Sequence, residues 1–124
     1  MCAVACRASV GSVIFGGPPG PRYIPGLGAS RPPEIGAELA TLHNVKDVVM
    51  VPEPDTIRMC HEVLDRYSLG VGGSTGTVLC GVRRYRDRLA PDATVVAISA
   101  DMGERYAATV YNPDWVAEKL GVQL

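Results

Sequence analysis

Apolar stretches alternate along the chain with glycine- and proline-rich stretches, and this pattern predicts alternating strands and helices. Three stretches rich in β-branched residues predict strands: VGSVIF at residues 10–15, VKDVVMV at residues 45–51 and TVVAIS at residues 94–99. The last two are almost continuously apolar, as strands of a parallel sheet are when helices cover both faces. The expected fold is therefore α/β, with a parallel sheet flanked by helices. The sheet is expected to be incomplete, because the chain has few strands.

Helical periodicity fills the intervals between these strands. A first helix is expected to start at Pro33 and to end near His43 and Asn44, and Asp55 is expected to cap a second helix. A third is expected over residues 77–89, and a short last helix from Asn112 or Pro113. The apolar residues expected to face inward are Ile35, Leu39 and Leu42, then Ile57, Cys60, Leu64 and Tyr67, then Val78, Val82, Tyr85 and Leu89. The arginines expected on the solvated face of the third helix are Arg83, Arg84, Arg86 and Arg88.

A long loop rich in glycine and proline follows the first predicted strand, at residues 16–33. Loops of this length without periodicity are uncommon inside a compact domain, and they tend to be functional or to cross between subdomains. Its PGLGAS segment, taken alone, is a glycine-rich bend, more often a hinge or a crossing than a ligand contact.

Length and charge narrow the class of protein. A chain of 124 residues, 47% of them hydrophobic, is long enough for one core and too short for two, so residues 1–124 are interpreted as one domain. Its 12 basic and 13 acidic residues leave a formal net charge of -1, which provides no field to attract nucleic acid or an anionic membrane surface. No apolar run is long enough to cross a bilayer and the first residues do not resemble a signal peptide, so the cytoplasm is the expected location.

The cysteines and histidines do not have the spacing of a metal site. No C-x-x-C pair occurs, and a site with four ligands would need distant residues to converge, so we expect no metal and reduced, buried thiols. The residues concerned are Cys2, Cys6, Cys60, Cys80, His43 and His61.

The segment GGSTG, formed by Gly72, Gly73, Ser74, Thr75 and Gly76, allows two interpretations that its spacing does not separate. In the structural one, the glycines make a sharp turn and Ser74 or Thr75 caps the next helix. In the functional one, the glycines let a ligand approach the backbone at a helix start that attracts polar or anionic groups.

A second segment, DMGERY, is also open to two interpretations. It is either a loop held by a pair of Arg105 with Asp101 or Glu104, or a segment that closes over a cleft at the end of the TVVAIS strand.

Five segments in order resemble the C-terminal part of the cysteine synthase and cystathionine β-synthase family of pyridoxal-phosphate (PLP) enzymes. They are GSVIF, IPGLGASRPPEI, VKDVVMVPEPDTI, LGVGGSTGTVLCGV and VVAISADMGERYAATVYN, and together they cover nearly the whole chain. The resemblance implies the fold of fold-type II PLP enzymes, similar to the β subunit of tryptophan synthase. It also implies PLP as cofactor, a small amino-acid substrate and a homodimer for the full-length form.

The same resemblance implies roles for individual residues. GGSTG follows PGLGAS and precedes GERY, an order that matches the family's later loop and not its phosphate loop. The first hydroxyl residue of that later loop contacts the pyridine nitrogen of PLP, which implies this contact for Ser74. The other residues implied are Gly72, Gly73, Thr75 and Gly76 in the loop, and Gly26 and Gly28 near the substrate.

A serine beside the ring nitrogen fits β-replacement. An acidic partner would hold the nitrogen protonated and make the cofactor a stronger electron sink, whereas a neutral hydroxyl leaves a weaker one. The weaker sink is sufficient to remove the α-proton and to expel a β-leaving group, after which a nucleophile adds.

Within the family, GERYAATVYNPDWV and GGSTGTV resemble the 2,3-diaminopropionate-biosynthesis branch, which joins O-phosphoserine to glutamate. Met102 stands where housekeeping enzymes often have a small hydroxyl residue, so contacts from that position do not carry over.

The cofactor-bearing part of the family pattern is missing from the sequence. The Schiff-base lysine, the asparagine contact, the substrate-carboxylate loop and the phosphate loop all lie upstream of what matches, and neither Lys46 nor Lys119 has the context of the family's lysine. MCAVACRAS is expected to replace the strand that leads into GSVIF. We therefore expect a truncated, split or fragmentary reading frame, whose partner is the missing N-terminal part and which has no catalytic lysine of its own.

Two hypotheses of different classes follow. The chain is the C-terminal part of a PLP-dependent β-replacement enzyme, or it is a non-catalytic α/β remnant or interaction module that keeps only the fold. A free-standing nucleotide-binding domain is disfavoured, because no G-x-G-x-x-G follows a strand and opens a helix.

Overall fold

A two-stranded parallel sheet organises the described part of the chain. The computed structural model describes residues 3–41 and 45–124. Strand β1 (Ala3–Ala8) pairs with strand β2 (Val45–Val51) in parallel, Ala8 lying opposite Val51. A parallel pair needs a crossover connection, and this one contains the helix α1 (Glu34–Thr41). The predicted α/β class with parallel strands is confirmed.

The first strand does not lie where the sequence predicted it. Residues 10–15 form a turn, in which Gly11 has a φ of 80° and Phe15 a φ of 55° inside a short 3₁₀ helix at Ile14–Gly16. The Gly11 N–H donates to the carbonyl of Pro18 and closes the turn. The strand lies just upstream at β1, so the segment expected to replace a family strand is itself a strand.

The third predicted strand, residues 94–99, does not form. Val96 and Ile98 are 86% and 79% exposed, and no ladder partner for this segment exists among residues 3–41 and 45–124. High β-propensity reflects packing against neighbouring strands, so a segment without a neighbour does not become a strand on propensity alone.

Three further helices complete the fold. They are α2 (Glu53–Tyr67), α3 (Gly73–Tyr85) and α4 (Pro113–Leu120), with short 3₁₀ helices at Arg86–Arg88 and Gly103–Tyr106. The last helix begins at Pro113, one of the two predicted starts, and Asn112 caps it, since its side chain accepts hydrogen bonds from the N–H groups of Asp114 and Trp115. Asp55 does not cap α2, because Pro52 occupies the cap position and Asp55 lies in the first turn.

The core forms where α2 packs against α3. Of the residues expected inside α2, Ile57 and Cys60 are fully buried, whereas Leu64 and Tyr67 are exposed. The buried face instead includes Thr56, whose Oγ1 lies 2.8 Å from Oγ1 of Thr77 on α3. The buried residues of α2 are Thr56, Ile57, Met59, Cys60 and Val63.

The inward residues predicted for the third helix are only half-buried. Its fully buried positions are smaller ones, because α3 lies against both α2 and the sheet. The half-buried residues are Val78, Val82, Tyr85 and Leu89; the buried ones are Gly73, Thr75, Gly76, Thr77, Cys80 and Gly81.

The arginines of this region are exposed, as predicted. All four form exposed ion pairs, which typically contribute about 0–1 kcal/mol each. The pairs are Arg83 with Glu62, Arg84 with Asp55, Arg86 with Asp87, and Arg88 with Asp47.

The expectations for the first helix are only partly described. Ile35 is 67% exposed, contrary to its predicted inward orientation. The predicted positions Leu42, His43, Asn44 and Cys2, and the side chain of Leu39, lie outside the described residues. Within the described part of the chain, no helix has the length and apolar character needed to cross a membrane.

An apolar groove runs between β1 and the segment that was predicted as the third strand. Its walls carry Val4 and Cys6 on one side and Val95 and Val96 on the other, with Val82 of α3 at its floor. An unpaired strand edge beside exposed apolar side chains favours association.

We therefore expect the chain to self-associate at micromolar concentrations, and the double substitution Val96→Lys with Ile98→Lys to reduce the associated fraction several-fold. Charge on this segment opposes the burial of apolar surface. Sedimentation velocity measures the distribution, with Ile35→Lys as the control at an exposed apolar residue outside the groove. A monomeric wild-type chain that unfolds cooperatively would contradict this expectation.

Candidate functional site

A cavity of about 290 Å³ lies where the C-terminal end of β1, the glycine- and proline-rich loop and the start of α3 meet. Ligands of α/β proteins collect at the carboxyl ends of parallel strands, and this cavity has that location. It brings Gly26 and Gly28 of PGLGAS together with Ser74 of GGSTG. The described residues that line it are Cys6, Arg7, Ser12, Phe15, Gly26, Leu27, Gly28, Ser74, Thr77 and Val78.

Ser74 is not a helix cap. The cap position of α3 belongs to Gly72, which has no side chain, and Ser74 is the second residue of the helix. The Ser74 hydroxyl is half-buried, lines the cavity and has no hydrogen-bond partner among the described residues. The capping interpretation is therefore wrong for Ser74, and its hydroxyl is available to a ligand.

The other residues of GGSTG are used for packing. Thr75 is buried, and its hydroxyl lies 2.9 Å from the hydroxyl of Ser99. A Cβ on Gly73 would lie 2.5 Å from Cγ2 of Ile24, and one on Gly76 would lie 2.5 Å from Sγ of Cys60. Among residues 72–76, the cavity lining therefore includes Ser74 alone.

Gly28 and Gly26 shape the opposite wall of the cavity. Gly28 has a φ of 146°, and a Cβ there would collide with the side chain of Ser12. Gly26 has a φ of 81°, and the nearest atom to a Cβ there would be the hydroxyl oxygen of Tyr106, 3.9 Å away. Glycine is needed at both positions for the backbone conformation, and at Gly28 also for the close approach of Ser12.

The DMGERY segment braces the loop before α3. Val71 forms an isolated antiparallel bridge with Met102, and the N–H of Gly72 donates to the carbonyl of Asp101 at 3.1 Å. The Tyr106 hydroxyl donates to Oδ2 of Asp101 at 2.7 Å. Asp101 is thus held by Tyr106, and Arg105 has no ion pair among the described residues, so the predicted pairing of Arg105 is wrong.

Burial disfavours the thiolate form of three described cysteines, of which Cys6 lines the cavity. Burial raises the pKa of Cys6, which lines the cavity, and raises the pKa values of Cys60 and Cys80 to about 12 and about 11. A protonated thiol is a poor nucleophile and a poor metal ligand. Within residues 3–41 and 45–124, no group of three potential ligands is placed to hold a metal ion.

The residues that line the cavity suit the pyridine ring of PLP, but they include no lysine to form the Schiff base. Ser74 offers a hydroxyl without an internal acceptor, and the glycines leave space beside it, which suits the edge of a flat heteroaromatic ring. Neither lysine lines the cavity: Lys46 is exposed on β2, and Lys119 on α4 lies 2.7 Å from Glu118.

Two residues of the cavity were missed by the sequence analysis. Arg7 and Ser12 are both buried, and Arg7 Nε and Ser12 Oγ have no hydrogen-bond partner. The sequence did contain one signal: Arg7 is the single charge in the otherwise apolar strand AVACRA. Arginine is seldom buried unless it is paired.

Comparisons with known proteins agree with the resemblance. No family model matches the chain. The chain is 39% identical over 109 residues to N-(2-amino-2-carboxyethyl)-L-glutamate synthase of Ralstonia nicotianae, a match that covers 88% of this chain and 31% of that protein.

Its fold matches the crystal structure of an O-acetylserine-dependent cystathionine β-synthase from Helicobacter pylori. The TM-score is 0.75 at 22% sequence identity, and the match covers 88% of this chain and 34% of the other. The chain thus spans about a third of the length of these relatives. The predicted relationship and the predicted fold are confirmed.

The positions of the two lysines generate a prediction about PLP. When the purified chain is mixed with PLP and reduced with borohydride, we expect no stoichiometric pyridoxyl group on Lys46 or Lys119, because neither lies at the cavity. Peptide mass spectrometry locates any label, and denatured chain is the control for non-specific reaction. Selective, stoichiometric labelling of either lysine in the native chain would show that the cavity is not the cofactor site.

Proposed function

The chain is related over 88% of its length to cysteine synthase-like enzymes, a family that depends on PLP, and we propose that it contributes to PLP-dependent β-replacement on an O-activated serine. In this proposal the chain supplies one wall of the active site. A further polypeptide, corresponding to the part of the relatives that this chain does not span, supplies the cofactor lysine. The observation that carries the proposal is the hydroxyl of Ser74, which has no hydrogen-bond partner in the described part of the chain and faces the same cavity as Gly26 and Gly28.

PLP, when bound, supplies an electron sink for bond breaking at the α-carbon of an amino acid. Ser74 would hold the cofactor by donating its hydroxyl to the ring nitrogen. No carboxylate of residues 3–41 and 45–124 lines the cavity, so none of these residues would protonate that nitrogen. This arrangement favours expulsion of a good β-leaving group over reactions that need a long-lived carbanion.

The bracing of the loop supports this role for Ser74. Residues 70–72 are tied to residues 101–103 by backbone hydrogen bonds of 2.9 and 3.1 Å. The phenol of Tyr111 both accepts from the N–H of Val71 and donates to its carbonyl, each at 2.7 Å. The start of α3 is therefore fixed on two sides, and a fixed donor is worth more to a reacting group than a mobile one.

The specific reaction that we propose follows the Ralstonia relative. Its name describes a product in which a 2-amino-2-carboxyethyl group is joined to the nitrogen of glutamate. O-phosphoserine would supply the group after loss of phosphate, and the amine of glutamate would be the nucleophile. The 39% identity and the GERYAATVYN segment support this assignment over sulfide as the nucleophile.

A second candidate function is a non-catalytic α/β module. The observation that favours it is the lack of a lysine at the cavity. The two proposals predict different results when the remaining part of the enzyme is supplied. Turnover is restored only if this chain forms a wall of the active site.

A chimera tests the proposal, in which this chain replaces the matching segment of the Ralstonia relative. We expect Ser74→Ala to keep the bound cofactor and to lower kcat about tenfold or more, since one hydrogen bond of about 1.5 kcal/mol corresponds to roughly tenfold in rate. Ser74→Asp should also change the cofactor absorbance, because a carboxylate favours a protonated ring nitrogen. Single-turnover absorbance with O-phosphoserine measures both effects.

The matched control is Ser30→Ala, an exposed serine at the end of the PGLGAS segment that does not line the cavity. It should behave as the unsubstituted chimera. Equal spectra and rates for Ser74→Asp and the unsubstituted chimera would show that Ser74 does not contact the ring nitrogen. An inactive chimera that folds and binds no PLP would instead support the non-catalytic module.

A further inference from the structure

Residues 94–99 have the composition of a β-strand but lack the hydrogen bonds of one. All six residues are exposed, and the side chains of Val96 and Ile98 are largely in solvent. Among the residues that the structure describes, none forms a hydrogen bond with the backbone N–H or C=O groups of this segment. A sequence that favours a strand therefore lacks only a neighbouring strand to pair with.

Strand β1 also lacks a neighbour. One of its edges pairs with β2, and in the described part of the chain no segment pairs with its other edge. Val4 and Cys6 of β1 line the apolar groove, as do Val95 and Val96 of the exposed segment. The groove thus lies between a strand with a free edge and a segment that has no ladder partner.

Strand β1 runs toward the start of α3. Cys6 contacts Gly81 in the second half of this helix, since a Cβ on that glycine would collide with the thiol. Arg7, the next residue of β1, lines the cavity together with Ser74, the second residue of α3. The carboxyl end of β1 and the start of α3 therefore lie at the same end of the molecule.

Residues 94–99 run in the same direction as β1. The chain enters this segment after the 3₁₀ helix that follows α3, and its first residues line the groove with Val82 and Tyr85. At the other end of the segment, the hydroxyl of Ser99 lies 2.9 Å from the hydroxyl of Thr75 at the start of α3. The two walls of the groove are therefore parallel, as neighbouring strands of a parallel sheet are when a helix covers one face.

The groove suits an apolar, extended segment. The described residues that line it include no charged side chain, and its floor is formed by Val78, Val82, Tyr85 and Leu89. Successive side chains of a strand point to opposite faces, so every second side chain of an extended segment in the groove would contact this floor. Apolar residues at those positions would bury the floor.

The length of the relatives indicates where such a segment comes from. The chain covers 31% of the Ralstonia protein and 34% of the Helicobacter protein, so the greater part of each relative lies outside the match. A second copy of this chain is a less suitable source. Two of its strand-forming segments, β1 and β2, pair with each other, and residues 94–99 form a wall of its own groove.

We propose that the groove is a docking site for one apolar β-strand of a further polypeptide, the one that corresponds to the part of the relatives outside the match. The strand runs parallel to β1 and pairs with the free edge of β1 on one side and with residues 94–99 on the other. It turns that segment into the last strand of a four-stranded sheet. The inference goes beyond the proposed function, because strand pairing requires no cofactor.

The direction of the docked strand connects the groove with the cavity. A strand parallel to β1 has its carboxyl end at the start of α3, where Ser74 lines the cavity. The residues that follow the docked strand would therefore reach the cavity, as loops at the carboxyl ends of parallel strands do in ligand sites. The docked strand also competes with self-association, since both bury the same apolar surface.

Hydrogen exchange measured by mass spectrometry tests the proposal. The probe is the polypeptide formed by the residues of the Ralstonia relative outside the match, refolded together with this chain in buffer without PLP. We expect a one-to-one complex in which the amides of residues 94–99 exchange more slowly than in the diluted, monomeric chain. The expected factor is about tenfold or more, which corresponds to roughly one backbone hydrogen bond.

Proline substitutions test whether residues 94–99 become a strand. In an edge strand, one of any two adjacent N–H groups points toward the neighbouring strand, so either Val96→Pro or Ala97→Pro removes a donor from the ladder. We expect that variant to weaken the complex about tenfold or more. Neither substitution removes a backbone hydrogen bond from the described part of the isolated chain.

The matched control is Ala90→Pro. Ala90 is exposed, does not line the groove and follows Leu89, whose extended conformation (φ −94°, ψ 147°) is compatible with a following proline. This variant should form the complex as the unsubstituted chain does.

A synthetic peptide keeps the test decisive if the two chains do not refold together. The probe is then a short peptide of alternating valine and threonine with a lysine at each end, compared with the same peptide N-methylated on alternate backbone amides. A docked strand forms hydrogen bonds through both of its edges, and N-methylation blocks one of them. Only the unmethylated peptide should therefore slow the exchange of residues 94–99.

The proposal is overturned if residues 94–99 exchange as fast with these probes as in the monomeric chain, or if both proline variants assemble like the unsubstituted chain. Protection of this segment in a homodimer that the probe does not displace would also overturn it, in favour of a second copy as the occupant. Because no PLP is present, the result is independent of the Ser74 chimera. A protected segment beside an inactive chimera would contradict the proposed function alone.

Discussion

The close approach of α3 to α2 and to β1 is the constraint on which the rest of the structure depends. Gly76 permits contact with Cys60 of α2, and Gly81 permits contact with Cys6 of β1. The hydrogen bond between the hydroxyls of Thr56 and Thr77 lies inside the first interface. A side chain at either glycine would separate the layers and move the start of α3 away from the end of β1.

The cavity is a consequence of that packing. Ser74 reaches it because α3 begins at Gly73 without a side-chain cap, and the loop reaches it because Gly28 lets its backbone approach Ser12. Two buried polar atoms, Arg7 Nε and Ser12 Oγ, have no hydrogen-bond partner. Their residues line the same cavity as Ser74, Gly26 and Gly28, for which the family resemblance implies roles. Native proteins pair the great majority of buried polar atoms, so these two atoms are exceptions among the described residues.

The groove and the cavity both bear on whether further polypeptide packs against this chain. The groove exposes apolar surface beside a free strand edge, and the cavity has a donor hydroxyl and a buried cation but no lysine. Each suits contact with further polypeptide of the kind that the relatives possess, since the chain spans about a third of their length.

The sequence by itself determined the α/β class, strand β2, the start of α4 and the relationship to cysteine synthase-like enzymes. These depend on local periodicity, on the short-range hydrogen bonds of Asn112 and on the order of several motifs. It did not determine whether residues 94–99 form a strand or whether Ser74 is a cap. Only the tertiary structure decided these two points. A strand needs a neighbouring strand to pair with, and a serine hydroxyl forms a hydrogen bond with whichever group the fold places beside it. Arg7 was undetermined for the same reason: its burial and its missing partner depend on how the long loop crosses β1, and the charge pattern of the sequence does not contain that crossing.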